Sequence, residues 1–98
     1  MIELHIYLEP TAGKEADLEA LYWREYVPAI SIQEGFRRTM FLKRSDALRE
    51  YEIDISFDSE ALRQKWAGSP QHQVTWPKVV AMCQRIAWAG YDAVEKDR

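Results

Sequence analysis

Cysteine and histidine are scarce in this chain, with one of the first and two of the second among 98 residues. A lone Cys83 cannot close an internal disulfide. In the apolar run V-V-A-M-C, expected to be helical, it reads as a buried, inert thiol. His5 and His72 lie far apart with no Cys or second His beside either, so no metal-ligand spacing is present and no metal is expected. Positive charge is also short: thirteen Lys and Arg stand against sixteen Asp and Glu, a net charge of −3. That balance argues against nucleic acid as a partner, because such proteins show a basic face. The pairs Arg37-Arg38 and Lys43-Arg44 are short and read as strand-surface charges. No run is apolar enough for a membrane span or a leader, so the expectation is a cytoplasmic protein without membrane contact. No repeat, linker or low-complexity segment divides the chain, which predicts one domain over residues 1–98.

Aromatic side chains are what the sequence has in plenty: four Trp, five Tyr and three Phe. Each hides about 150–250 Å² when buried, and a domain of this size removes only roughly 60–65% of its surface from water. One sheet face under a few helices is too small for all twelve. Some of the rings should face a partner subunit or a ligand cavity.

Hydrophobic periodicity supplies the elements. Ile2, Leu4, Ile6 and Leu8 alternate with Glu3, His5 and Tyr7, the pattern of a strand with one apolar face. Residues 14–30 read as a helix with Leu18, Leu21, Tyr22, Tyr26 and Ala29 on one side and Glu25 in mid-stripe; Pro28 should end or kink it. A turn at Glu34-Gly35 precedes a strand over 36–43, a hairpin connection at 44–47 and a strand over 50–57. Asp58 and Ser59 suit a helix N-terminus, Gly68 suits a left-handed helix end, and Ser69-Pro70 restarts a helix. Pro77 predicts a kink, or a fresh helix capped by Thr75 and running to about Gln84. A packing stripe of Val79, Val80, Met82, Cys83 and Ile86 leads to a last strand over 87–94, with Gly90 as a bulge or close approach and a frayed tail. Strand, helix, strand, strand, helices, strand is the split β-α-β order of ferredoxin-like α+β domains. It predicts a four-stranded antiparallel sheet in the order 4-1-3-2, with Glu3, His5 and Tyr7 beside Glu52, Asp54 and Ser56 on the face without helices.

The stretches I-E-L-H-I-Y-L, E-G-F-R-R-T-M-F-L, Y-E-I-D-I-S-F-D-S-E-A-L and S-P-Q-H, with a closing strand ending near Tyr91, resemble the antibiotic-biosynthesis-monooxygenase-like family of dimeric α/β-barrel proteins. The resemblance implies a homodimer whose sheets pack into a barrel, and a pocket in each subunit between sheet and helices. It further implies cofactor-independent oxygenation of a small phenolic, quinol or polyketide-like aromatic molecule; the other reading is a non-catalytic binding or structural dimer. Characterised oxygenases of this kind commonly use a pocket asparagine with tryptophan, and this sequence has no asparagine. Trp66 stands where haem-degrading relatives have a tryptophan, but their ligand histidine comes further on than His72, nearer Trp76. No haem or other cofactor is expected.

His72, in the first turn of the restarted helix, is the candidate for proton transfer or substrate orientation; otherwise it bonds to backbone or solvent. Trp66, Trp76, Tyr22 and Tyr26 are candidate pocket walls, or packing. Glu25 needs an Arg, a wet cavity or the edge of its stripe. Arg38 is a candidate partner for it if strand two turns that side inward, a choice that one bulge reverses. His5 beside Glu52 or Asp54 reads as a network inside a barrel or at a dimer interface.

Overall fold

Apolar alternation builds the sheet. In the computed structural model, which describes residues 1–46 and 49–94, β1 (Ile2–Pro10) turns Ile2, Ile6 and Leu8 into the core. β3 (Tyr51–Phe57) does the same with Tyr51, Ile53, Ile55 and Phe57, all but fully buried. With β2 (Phe36–Lys43) and β4 (Cys83–Asp92) they form one antiparallel sheet in the order β2-β3-β1-β4. This is the expected ferredoxin-like arrangement. Part of the 44–47 connection and the tail beyond Val94 lie outside the described residues.

The first helical stretch keeps its phase by an adjustment that periodicity at 100° per residue does not foresee. α1 (Glu15–Leu21) and α2 (Val27–Ser31) are joined through a π-helical turn at Tyr22–Tyr26, with the Val27 N–H bonded to the Tyr22 carbonyl. Residues four apart drift around an α-helix; one wider turn offsets the drift. Leu18, Tyr22, Tyr26 and Ile30 are therefore all buried, with the predicted Ala29 partly buried against the same core. The helix runs past Pro28 to Ser31.

Ser59 caps α3 (Glu60–Ala67) and Ser69 caps α4 (Pro70–Ala81), each accepting a backbone N–H from the first turn. Three local expectations need correction. Gly68 has φ −93°, an ordinary helical value, so its conformational freedom is unused. Pro77 lies inside one continuous helix, and Thr75 is buried there rather than capping; Val79 beyond the proline is packed into the core, which holds the last turn in place. Finally, residues 83–86 are strand, not helix. β1 extends to Pro10 and pairs with Cys83, and the Thr11 N–H bonds the Met82 carbonyl, so backbone pairing with the longer β1 ends the helix early. Gly90 stays in regular register opposite Leu4; the irregularity falls at Glu9/Pro10.

Gly35 is a glycine whose backbone is decisive. It turns α2 into β2 at φ +77°, and an added Cβ would run into the Leu62 side chain, 3.1 Å from its Cβ and 3.2 Å from its Cγ. Gly35→Ala is expected to lower stability by about 1–3 kcal/mol. Gly13→Ala, at φ +89° with open space around it, should lose less. Urea midpoints at fixed protein concentration check the pair.

The bulge that decides β2 lies at Arg37. Phe36 pairs with Phe57, and the next partners are Arg38 and Ser56. Phe36 and, beyond the bulge, Phe41 pack against the core, while Arg38 bonds Glu3 on the open face of the sheet.

Candidate functional site

Two caps and one helix turn make the site. The His72 N–H donates to Ser69 Oγ at 3.1 Å, which fixes His72 in the first turn of α4. Trp66 lies in the last turn of α3, 2% exposed. The short α3–α4 connection sets the His72 ring between two indoles: edge-on to Trp66 at 4.9 Å and stacked on Trp76 at 5.8 Å. Tyr26 meets Trp66 edge-on at 5.8 Å from the first helical stretch.

These rings bound a cavity of about 290 Å³ between helices and sheet. Leu4, Ile6 and Ile55 supply its sheet side, Trp88 comes from β4, and Arg63 and Ala67 from α3. The walls are apolar with few polar groups, the usual make-up of a small-molecule pocket. Burial, with the positive charge of Arg63 added to it, lowers the His72 pKa below the usual imidazole value. At neutral pH the ring is therefore uncharged and able to take a proton. Arg63 is ion-paired with Glu60. The Tyr26 hydroxyl is held protonated far above the ordinary phenol range by complete burial.

The structure thus brings His72, Trp66, Trp76 and Tyr26 around one space. It does not bring the other three candidates there. Tyr22 packs between Phe41 at 4.4 Å and Tyr26 at 5.7 Å, bonds Thr39 Oγ1 at 2.9 Å, and is not among the cavity's lining residues. Glu25 pairs with Lys78 Nζ at 2.6 Å, partly exposed to solvent. Arg38 lies on the other side of the sheet, its Nη2 3.2 Å from Glu3 Oε1, so the pairing considered for Glu25 and Arg38 does not form. The Arg37 bulge is the reason.

Two lining residues went unread in the sequence. Arg63 was findable, since it precedes Trp66 by three residues on one helix and must share its face. Trp88 was not, because A-W-A-G-Y has no apolar alternation to choose its face; its pairing with the buried Ile6 puts it on the cavity side. Cys83 is half-buried at the start of β4, and burial raises its thiol to about 11, an unreactive group.

On the open face, His5 lies among Glu3, Glu52 and Asp54, as the register predicted. Tyr7, Met40, Leu42 and Tyr91 are exposed large apolar residues; Tyr7 and Tyr91 meet there through their hydroxyls at 3.4 Å. Among the described residues no helix is long and apolar enough to cross a membrane.

A family model described as antibiotic biosynthesis monooxygenase matches residues 1–76. No curated protein matches the chain significantly in sequence. Among solved structures, a candidate antibiotic biosynthesis monooxygenase from Deinococcus radiodurans is 15% identical with a TM-score of 0.85, over 100% of this chain and 97% of that one. SnoaB, a cofactor-independent oxygenase from Streptomyces nogalater solved as an asparagine-to-alanine variant, is 15% identical with a TM-score of 0.86, over 97% and 94%. A NIPSNAP domain protein from Burkholderia xenovorans is 20% identical with a TM-score of 0.71, over 96% and 95%. Likeness at these identities concerns the fold.

Proposed function

The chain belongs to the antibiotic biosynthesis monooxygenase family, and from that premise we propose that it is a cofactor-independent monooxygenase for a small, electron-rich aromatic substrate of the phenol or quinol kind. The observation that carries this reading is the grouping of an uncharged imidazole and a guanidinium in a cavity walled by three indoles, a tyrosine and aliphatic side chains. A flat substrate lies against Trp66 and Trp76. His72 takes its acidic proton, and Arg63 stands beside the anion that forms. The apolar walls keep water from the anion, and electrons pass from it to dioxygen. For an activated CH₂ group, one oxygen atom ends as the product carbonyl and the other leaves as water. The anion is the reductant, so the balance needs no further one.

Two copies meeting through their open sheet faces would cover Tyr7, Met40, Leu42 and Tyr91, and we include a homodimer in this reading. The second reading is a binding module without turnover, favoured by the apolar walls alone. Oxygen uptake with a panel of anthrones and quinols tests the choice. Uptake with product carbonyl supports the monooxygenase. Quenching of tryptophan fluorescence by the same compounds, with no uptake, would leave the binding module.

The pH profile follows from the lowered His72 value. The base works uncharged, so kcat/KM should fall on acidification only below the ordinary imidazole range. Burial and Arg63 both disfavour the protonated form. Arg63→Gln removes one of them, so the acid limb should move to higher pH. A limb that stays in place would separate Arg63 from His72.

A further inference from the structure

The cluster on the open sheet face has the construction of a cation site, and it lies outside the cavity just described. His5 Nε2 is 2.7 Å from Glu3 Oε2. In the neutral ring, a proton donated from Nε2 to Glu3 leaves the lone pair on Nδ1. Nδ1 faces Glu52 Oε2 at 3.5 Å and Asp54 Oδ1 at 4.0 Å. Three potential ligand atoms therefore converge, all within 4.8 Å of one another.

Asp54 supplies the second, independent observation. The residue is nine-tenths buried, and its Oδ1 is a buried polar atom without a hydrogen-bond partner. A buried, unpartnered carboxylate oxygen is strongly unfavourable, and it points toward the imidazole rather than to water. We propose that His5 Nδ1, Glu52 and Asp54 bind a first-row divalent cation of the Zn²⁺ and Co²⁺ class.

The surroundings fit that assignment. A metal-binding histidine usually donates its other N–H to a carboxylate, which fixes tautomer and ring; Glu3 holds that position. Its second oxygen accepts Ser56 Oγ–H at 3.1 Å and Arg38 Nη2 at 3.2 Å. Tyr91 lies against the imidazole ring at 4.6 Å. Cross-strand register places the ligands on rigid backbone, with His5 opposite Asp54 and Tyr7 opposite Glu52. Glu52 and Asp54 stand close enough to share a hydrogen bond, which pushes the Glu52 carboxyl up to about 7; a bound cation would take the place of that shared proton. One nitrogen and two oxygens suit Zn²⁺, Co²⁺ or Mn²⁺ better than Mg²⁺ or Ca²⁺, which take oxygen alone. Ligand atoms about 2.1 Å from a tetrahedral ion stand about 3.4 Å apart, so small rotations of Glu52 and Asp54 close the set. All three ligands come from one chain, and an ion here has no part in the cavity chemistry.

Chelator-treated, tag-free protein titrated with Zn²⁺ by calorimetry, and with Co²⁺ by visible absorption, tests the site near neutral pH. One saturable cation per chain is expected, lost in His5→Ala and in Glu52→Gln and retained in His72→Ala. Glu3→Gln should weaken it by about 10–100-fold. Circular dichroism checks that each variant folds, and Glu52→Gln carries the comparison if His5→Ala does not. Absence of saturable binding, binding unchanged in both ligand variants, or Mg²⁺ competing on equal terms with Zn²⁺ would each overturn the assignment.

Discussion

His72→Ala is expected to lower oxygen uptake by about 10²–10⁴-fold, the range of a lost general base, on whichever anthrone or quinol the unaltered chain turns over. The loss should appear in kcat more than in KM, because Trp66, Trp76 and Trp88 still hold the substrate face. Exogenous imidazole should restore part of the rate, since the deleted ring leaves a space between two indoles. Melting temperature serves as the control. The imidazole is half-buried and makes ring contacts only, whereas the cap that starts α4 belongs to Ser69 and the His72 backbone and survives the substitution. Uptake unchanged in a folded variant would move the base elsewhere, and the fully buried Tyr26 is unsuited to that role because it holds its proton so tightly.

Trp66→Ala should give the largest loss of stability among the cavity residues, about 3–5 kcal/mol. The side chain is 2% exposed and touches Tyr26 and His72 by their ring faces and edges. Its removal would join the cavity to a void in the core around Tyr26. Domains of this size are stable by only about 5–15 kcal/mol, so the variant should sit close to its unfolding midpoint under mild denaturant. Urea curves at one protein concentration measure it, since association contributes to apparent stability. Trp66→Phe, which keeps most of the packing, should lose much less and change substrate preference instead. A loss under about 1 kcal/mol for the alanine variant would mean that the indole is not part of the core.

The two substitutions separate what the site needs. In the proposed reaction His72 would act through its proton and leave the fold alone. Trp66 belongs to fold and cavity together, because the last turn of α3 packs into the core on one side and bounds the open space on the other. A small domain rich in aromatics has this economy: a ring too large for the core forms a wall.

The strands of this protein were determined by the sequence itself. Alternation in 2–8 and 50–57 has a period of two and depends on nothing beyond the chain's own pleat, so the paired faces, the placing of His5 beside Glu52 or Asp54, and the ferredoxin-like order could all be read before any coordinates. The Ser59 and Ser69 caps were legible for the same reason, being contacts within one turn. Tertiary structure decided the rest. Which way Arg38 points turns on one unpaired residue at Arg37, and the end of α4 turns on two extra residues of β1 that recruit Cys83. The side taken by Trp88 follows from its pairing with Ile6, and the phase of Tyr22, Tyr26 and Ile30 follows from a widened helical turn. In each case a shift of a single residue in hydrogen-bond register exchanges inside for outside. Only the packed chain, by burying some side chains and leaving others in water, makes one of the two registers the stable one.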